Sequence, residues 1–195
     1  MSSLQNNAIF QLARERGILR SRDLAAKGLS RNSLARLVKA NQMICLSRGL
    51  YALPDKDLTE QSTLVEVAVK FPQSFFCLLT ALQLHGLTTQ TPSEVWLAVA
   101  NYAREPKMDY PPLRVIRATG DVLEYGVDSM LIDGVVTVRV TSIERTIADC
   151  FKFRNKVGLD VAIEALQEAW RSKRLSMDEL WRCTQVCRVS NVMKA

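Results

Sequence analysis

Apolar residues recur at helical spacing in three short segments near the start of the chain, and each segment is bounded by residues that begin or end helices. Gly17 and Gly28 follow the first and second segments, and Ser21 and Ser30 precede the second and third as predicted N-caps. The pattern predicts three helices, over residues 5–15, 22–27 and 31–41. A short helix, a tight turn with glycine and a capped helix are typical of a helix-turn-helix.

The predicted third helix has two distinct faces. Leu34, Leu37 and Val38 fall on its apolar, inward face. The outer face is polar and mostly cationic, and it carries Arg31, Asn32, Ala35, Arg36 and Lys39. In a helix-turn-helix, the second of the two helices enters the major groove with its N-terminal residues toward the base edges.

A β-hairpin is predicted directly after this helix. Residues 43–46 and 50–53 are apolar, and Gly49 in the turn between them can adopt a positive φ. A hairpin in this position is the wing of a winged helix-turn-helix, and Arg48 lies at its tip.

The side chains of this segment suit double-stranded DNA. Arginine can donate two hydrogen bonds to a guanine edge, asparagine can pair in the same way with adenine, and lysine mainly neutralises phosphate. We therefore expect base contacts from Arg31, Asn32 and Arg36, and phosphate or minor-groove contacts from Lys39 and Arg48. The N-cap Ser30 and, as a possible base contact, Ser33 complete this group. The predicted DNA-binding residues are therefore Ser30, Arg31, Asn32, Ser33, Arg36, Lys39 and Arg48. The alternative is a solvated cationic face that binds nothing.

The rest of the chain mixes helices and strands. A capping box of Asp57 and Glu60 predicts a helix that ends at Pro72, and an apolar run predicts a buried helix over residues 75–85. Strands are predicted over residues 94–100, 113–118, 130–132 and 135–140, the last two joined by a type I′ turn at Asp133 and Gly134.

Three amphipathic helices follow the strands. Capping boxes that begin at Thr141 and Ser176 open the first and third, and residues 159–170 form the second. The predicted fold class is α+β: a winged helix-turn-helix over residues 1–57, followed by a domain over residues 58–195 in which helices pack on an antiparallel or mixed sheet.

Charge separates the same two regions. The chain has 195 residues and a net charge of +6, from 26 Lys and Arg against 20 Asp and Glu. Residues 1–57 hold ten of the cations and four of the anions, so they carry the whole excess, and residues 58–195 hold sixteen of each. A charge confined to one end of the chain favours a polyanion-binding module joined to a neutral domain with another task.

Residues 58–195 carry no recognisable catalytic motif. Phosphate-binding loops, a nucleophile elbow and a zinc-protease helix are all absent from the sequence. A metal-dependent nuclease would need its ligands from Asp128, Asp133, Glu144 and Asp149, each of which has a simpler role in a turn, a cap or a helix. We expect neither enzymatic activity nor a cofactor or metal.

Other polar candidates in this domain also have structural interpretations. His85 is the only histidine and is expected to be a hydrogen-bonded structural residue. Cys183 and Cys187 lack the two further ligands that a metal site needs, and the five cysteines are expected to be reduced and mostly buried. A second basic cluster is expected to contact flanking DNA or another subunit, or to be a solvated helix end; its members are Arg139, Arg145, Lys152, Arg154 and Lys156.

Several segments resemble the AbiE-type antitoxins of type IV toxin-antitoxin systems. In the N-terminal part these are residues 18–24, 28–31, 37–38 and, above all, the wing segment 47–54. In the C-terminal part the resemblance is clearest over residues 140–151, which include Arg145-Thr146-Ile147-Ala148-Asp149. It covers nearly the whole chain, although family members lead us to expect the last helix to continue beyond Ala195.

The resemblance implies a cytoplasmic bacterial antitoxin that represses its own operon by binding inverted repeats in promoter DNA through the winged helix. It also implies that the C-terminal domain neutralises a nucleotidyltransferase-like toxin without a stable complex. The alternative is an effector-responsive transcriptional regulator whose α+β domain binds a small molecule. The polar N-terminus and the lack of a long apolar stretch lead us to expect a cytosolic protein without a membrane partner.

Overall fold

The computed structural model describes residues 2–47, 49–54, 60–132 and 136–193. The chain divides into two compact units, one formed by residues 1–72 with 131–138, and the other by residues 73–130 with 139–195. The predicted boundary between residues 57 and 58 lies outside the described residues. In the described part of the chain, no helix is both long and apolar enough to span a bilayer.

In its described residues, the first unit contains four helices and a small sheet. Its helices are α1 (Ser2–Arg16), α2 (Ser21–Ala26), α3 (Arg31–Lys39) and α4 (Glu60–Lys70). Its strands are β1 (Leu19–Arg20), β2 (Ile44–Ser47) and β3 (Leu50–Ala52), and they form an antiparallel sheet in the order β1-β3-β2. Three helices followed by a β2–β3 hairpin are the elements predicted for a winged helix-turn-helix, and β1, at the edge of the sheet, is an addition that the sequence analysis did not predict.

One core holds the three N-terminal helices together. Ile9 and Leu12 of α1, Leu24 of α2, and Leu34 and Leu37 of α3 are buried in it. These are the apolar positions that the helical spacing predicts to face inward. Burial of large side chains from all three helices fixes α3 against the other two, since each contributes about 1.5–3 kcal/mol when fully removed from water.

The second unit is built on a mixed sheet. The strands of this sheet are β4 (Phe75–Phe76), β5 (Val95–Ala100), β6 (Leu113–Ala118), β7 (Val127–Ile132) and β8 (Val136–Thr141), in the order β6-β5-β4-β8-β7. The residues of β7 and β8 that fall within 131–138 are assigned to the first unit. β4 pairs antiparallel with β5 and parallel with β8, and β5 pairs parallel with β6. Its helices are α5 (Leu78–His85), α6 (Ile143–Lys152), α7 (Arg154–Val157), α8 (Leu159–Arg171), α9 (Met177–Val186) and α10 (Ser190–Met193).

Helix α6 is the centre of the second core. α5, α8 and α9 all pack against it, and Ile147, Ala148 and Cys150 are fully buried there. The α+β class predicted from the sequence is confirmed by this arrangement of helices around a mixed sheet.

The prediction of a helix over residues 75–85 is wrong in its first part. Phe75 and Phe76 form strand β4, the central strand of the sheet, and the helix begins only at Leu78. An apolar run that is buried on every side has no periodicity, so it cannot distinguish a short central strand from a buried helix. The end of the helix is as predicted, with Gly86 at φ 66°.

Some predicted caps are also shifted. The predicted cap Thr141 is the last residue of β8, and Ser142 caps α6 instead, its hydroxyl accepting a hydrogen bond from the Arg145 amide at 3.2 Å. Ser176 caps α9 as predicted, with its hydroxyl accepting from the Glu179 amide. The predicted Asp57 cap and the Asp133–Gly134 turn lie outside the described residues.

Candidate nucleic-acid interface

The start of α3 is fixed by its cap. The Ser30 hydroxyl accepts a hydrogen bond from the Asn32 amide at 3.3 Å, and Ser30 itself has an extended backbone. This confirms the predicted cap, although the helix ends at Lys39, because Ala40 caps it and Asn41 takes a positive φ of 55°. The Ser33 amide donates to the Ser30 carbonyl at 3.2 Å, so Ser30 satisfies two amides of the first turn.

The exposed face of α3 is polar and cationic. Arg31, Asn32, Arg36 and Lys39 are all exposed, while Leu34 and Leu37 are buried on the opposite side. Three positive charges and one amide therefore share a single surface of one helix. We call these four residues the α3 face.

Ser33 is not part of that face. Its side chain is fully buried, and its hydroxyl accepts a hydrogen bond from an Arg36 guanidinium nitrogen at 3.1 Å. The expectation that Ser33 is exposed for base contact is wrong, because its position faces the core alongside Leu34 and Leu37. Its observed role is to restrain the side chain of Arg36.

The segment that would form the wing is tied to the start of α2. The backbone carbonyl of Gly49 accepts a hydrogen bond from the Ser21 amide at 2.9 Å, and Gly49 has a φ of 86°. A side chain at residue 49 would be strained at that φ. The turn therefore needs the glycine that the sequence provides. Arg48 lies outside the described residues.

Helix α2 begins one residue earlier than predicted. Ser21 is its first residue and Arg20 the cap, since the Asp23 carboxylate accepts from the Arg20 amide at 3.3 Å. The same carboxylate oxygen lies 3.1 Å from the Arg20 Nε atom and 3.5 Å from an Arg16 guanidinium nitrogen. One of the few anions in this unit is thus neutralised by two arginines of the same unit.

Residues 7–54 match the family model described as a transcriptional regulator, the AbiEi antitoxin. This match confirms the resemblance to AbiE-type antitoxins over residues 7–54, whereas the resemblance of residues 140–151 remains an expectation. The matched segment runs from α1 to the end of the β2–β3 hairpin and contains the whole α3 face. A search of curated proteins finds no match to the chain.

The predicted second basic cluster lies outside the matched segment, and Arg145 is not one of its exposed cations. Arg145 is buried with 2% of its side chain exposed, and it forms an ion pair with Asp149. Arginine and aspartate four residues apart on a helix are placed to pair in this way, so their spacing could have revealed the pair. Gly126 is packed so closely that a Cβ atom there would lie 2.8 Å from the Cβ atom of Arg145.

The described carboxylates among the predicted nuclease ligands, Asp128, Glu144 and Asp149, do not form a metal-binding cluster, and Asp133 lies outside the described residues. Asp149 is paired with Arg145, and the Glu144 carboxylate accepts a hydrogen bond from the Ser176 amide at 3.0 Å. Within the described residues, no three His, Cys, Asp or Glu side chains are grouped to hold a metal ion. Burial raises the pKa of Asp149, and the adjacent Arg145 guanidinium opposes that rise.

The cysteines and the single histidine have structural positions. Cys183 and Cys187 are buried in the core of the second unit, and burial raises the pKa of Cys183 to about 12. A thiol with such a pKa is protonated and unreactive at neutral pH. His85 ends α5, and its Nε2 atom donates to the Thr141 carbonyl at 2.6 Å, as expected of a structural histidine.

Proposed function

We propose that the chain is a DNA-binding transcriptional regulator and that the α3 face is its base-reading surface. The observation that carries this proposal is the exposure of Arg31, Asn32, Arg36 and Lys39 on one side of a capped helix whose other side is buried. The element order of the first unit and the family match over residues 7–54 support it.

Each residue of the proposed interface has a distinct task. Arg31 and Arg36 donate to guanine edges and Asn32 pairs with adenine, while Lys39 and the wing residue Arg48 neutralise phosphates. The Ser30 cap orients the first turn of α3 toward the DNA. Residues 1–57 carry a net charge of +6 and residues 58–195 carry none, so the N-terminal part of the chain is the part drawn to the polyanion.

The biological role we propose is that of a type IV antitoxin in the cytoplasm. The chain binds inverted repeats in the promoter of its own operon, represses transcription, and neutralises a nucleotidyltransferase-like toxin without a stable complex. The description of the matched family as an AbiEi antitoxin and transcriptional regulator supports this role. No catalytic step is assigned to the chain.

A gel-shift titration on the chain's own promoter tests the DNA-binding part. Arg31→Ala and Arg36→Ala should each weaken binding about 5- to 150-fold, since a bidentate contact to a base is worth about 1–3 kcal/mol. The matched control is Arg182→Ala, which removes the same charge from an exposed site in the second unit. Equal effects of all three substitutions, or no effect of the first two, would refute the assignment of the α3 face.

Salt dependence separates the two kinds of contact. Lys39→Ala should weaken binding to all sequences alike and lower the slope of log K against log salt by about 1. Asn32→Ala should instead reduce discrimination between operator and unrelated DNA and leave the slope nearly unchanged. If Asn32→Ala lowers the slope of log K against log salt but leaves the discrimination between operator and unrelated DNA unchanged, the proposed role of Asn32 is contradicted.

Co-expression tests the antitoxin role separately. The gene next to this one is induced alone, with the full chain, and with a chain carrying Arg31→Ala and Arg36→Ala. We expect growth arrest in the first case and rescue in the other two, since neutralisation is assigned to the second unit. Failure of the full chain to restore growth would exclude the antitoxin role and leave DNA binding untouched.

The effector-responsive alternative has less support. In the second unit, a cavity lined partly by Arg117, Arg145, Asp149 and Lys152 has a volume of about 30 Å³. Pockets for small molecules usually measure about 300–1,000 Å³. This cavity has room for about one water molecule and favours no organic effector.

A further inference from the structure

Ala35 is the one apolar residue on the exposed side of α3. The structure describes every residue of this helix, and the exposed ones are Ala35 and the four residues of the α3 face. The other large apolar residues, Leu34, Leu37 and Val38, are buried or half-buried. Because the side chain of Ala35 has no donor, acceptor or charge, it takes no part in the hydrogen bonds and ion contacts proposed for the α3 face.

Ala35 lies inside the α3 face and not at its margin. It follows Arg31 by about one turn and precedes Lys39 by about one turn. At 100° per residue, these two neighbours lie about 40° to either side of it around the helix axis, and the whole face spans about 140°. A surface that the α3 face contacts as a unit therefore also contacts Ala35.

The side chain of Arg36 is held away from Ala35. Its guanidinium donates a hydrogen bond to the Ser33 hydroxyl at 3.1 Å. Around the helix axis, Ser33 lies about 60° to one side of Arg36, and Ala35 lies about 100° to the other side. The bond to Ser33 therefore leaves the Ala35 methyl group uncovered, in agreement with its exposure.

The major groove offers an apolar partner for this methyl group. In unmodified DNA, the C5-methyl of thymine is the one methyl group on the base edges there, and the other groups that proteins read are hydrogen-bond donors and acceptors. Contact with an alanine methyl removes both groups from water, and alanine is one of the side chains suited to this contact. Because Ala35 has only one side-chain carbon, the backbone of α3 can approach a base edge more closely there than at Arg31 or Lys39.

We propose that Ala35 is a specificity-determining residue that contacts the C5-methyl of a thymine in the operator. This inference rests on the proposed function, since it requires α3 to lie in the major groove. Ala35 and Arg36 are about 1.5 Å apart along the helix axis, which is less than the rise of about 3.4 Å for one base pair. Because the Arg36 side chain is directed away from Ala35, the thymine lies in the base pair next to the guanine that Arg36 contacts.

Promoter DNA in which deoxyuridine replaces thymidine tests this proposal, because it lacks the C5-methyl groups and keeps the base pairing. In gel-shift titrations of the full chain, the wild type should bind the thymidine form of its own promoter about fourfold more tightly than the deoxyuridine form, as expected for one methyl group removed from water. Ala35→Gly should bind the two forms equally. Each protein is compared with itself on two DNAs, so a loss of helix stability cancels from the ratio.

The matched control is Ala8→Gly, which removes the same methyl group from an exposed position of α1. This variant should keep the fourfold ratio of the wild type. Replacement of one thymidine at a time should reproduce the fourfold loss at a single position of each half-site. That position should adjoin the guanine whose replacement has no effect on the Arg36→Ala variant.

The outcomes separate this inference from the proposed function. A fourfold ratio that persists in Ala35→Gly would overturn the role of Ala35, as would equal binding of the two DNAs by the wild type or a loss spread evenly over many thymidines. The α3 face would then still stand if Arg31→Ala and Arg36→Ala weaken binding to the thymidine form. If the wild type shows no preference for its own promoter over unrelated DNA, the proposed function and this inference are refuted together.

Discussion

The Nε atom of Arg145 lies 2.9 Å from the Oδ2 atom of Asp149, and only 2% and 6% of the two side chains are exposed. The other guanidinium nitrogens donate to the carbonyl oxygens of Tyr125 at 2.6 Å and Val122 at 3.1 Å. The Cys187 thiol donates to the second carboxylate oxygen of Asp149 at 3.4 Å. One buried ion pair thus connects α6 to the turn before β7 and to the end of α9.

Breaking this pair from one side should destabilise the second unit strongly. Arg145→Met leaves the Asp149 carboxylate buried without its counter-charge, and we expect a loss of about 3–5 kcal/mol in the free energy of unfolding. The double variant Arg145→Met with Asp149→Leu should lose less, because no uncompensated charge remains. Urea unfolding of both variants measures the difference. If the double variant is less stable than Arg145→Met alone, the hydrogen bonds that Asp149 still makes in the single variant contribute more to stability than its unpaired charge costs.

Ser33 should act on DNA only through Arg36. Ser33→Ala removes the hydroxyl that restrains the Arg36 guanidinium and should weaken operator binding about two- to fivefold, the equivalent of roughly 0.5–1 kcal/mol for a hydrogen bond. In a chain that already carries Arg36→Ala, the same change should have no effect. Operator titrations of the wild type, the two single variants and the double variant form a double-mutant cycle that measures the coupling between Ser33 and Arg36. Additive losses would show that Ser33 has a role independent of Arg36.

The Ser30 cap should contribute measurably to the stability of the first unit. Ser30→Ala removes the acceptor for the Asn32 amide and should lower the free energy of unfolding by about 1 kcal/mol. Ser30→Asp keeps an acceptor and adds a negative charge at the helix N-terminus, so it should retain stability. Urea unfolding monitored by circular dichroism checks both variants. Although Ser30→Asp should keep the stability of the wild type, it should bind DNA less tightly, because the added carboxylate repels phosphate.

His85 should make the second unit less stable in mild acid. Burial lowers its pKa in the folded state, although the bond to the Thr141 carbonyl partly opposes this. In the unfolded chain the histidine pKa is about 6.5, so below that pH the unfolded chain binds more protons than the folded one. The free energy of unfolding therefore falls as the pH drops below about 6.5. His85→Gln keeps a donor for the carbonyl and should flatten this dependence. Urea unfolding at several pH values between neutral and mildly acidic measures how the free energy of unfolding depends on pH. If the His85→Gln variant shows the same pH dependence as the wild type, His85 is not its source.

Thiol labelling should distinguish one cysteine from the other four. Cys45 is exposed in β2, whereas Cys77, Cys150, Cys183 and Cys187 are buried in the second unit, where burial raises their pKa values. A soluble thiol reagent should modify one cysteine rapidly in the native chain and all five after unfolding. Cys45→Ser should abolish the rapid phase. Rapid labelling of two or more thiols in that variant would mean that the second core opens readily.

Sequence periodicity and capping residues predicted most of the helices. Helix α3 could be placed because Ser30 can accept from its first turn and because Leu34 and Leu37 recur on one side, and both features depend on residues close together in the chain. The same reasoning failed at Phe75 and Phe76, whose strand exists only because distant strands pair with it on both sides. Local patterns contain no information about those partners.

For the candidate interface, the sequence by itself determined which residue types lie on the outer side of α3, since a period of 3.6 residues separates Arg31, Asn32 and Arg36 from the core positions. Tertiary structure decided the roles of Ser33 and Arg145. Both are polar residues that composition would place at the surface. The Ser33 hydroxyl is buried with a bond from Arg36, three residues along the chain. Arg145 is buried because Asp149 and the distant Tyr125 carbonyl satisfy its hydrogen bonds, and only the folded chain brings that carbonyl to it.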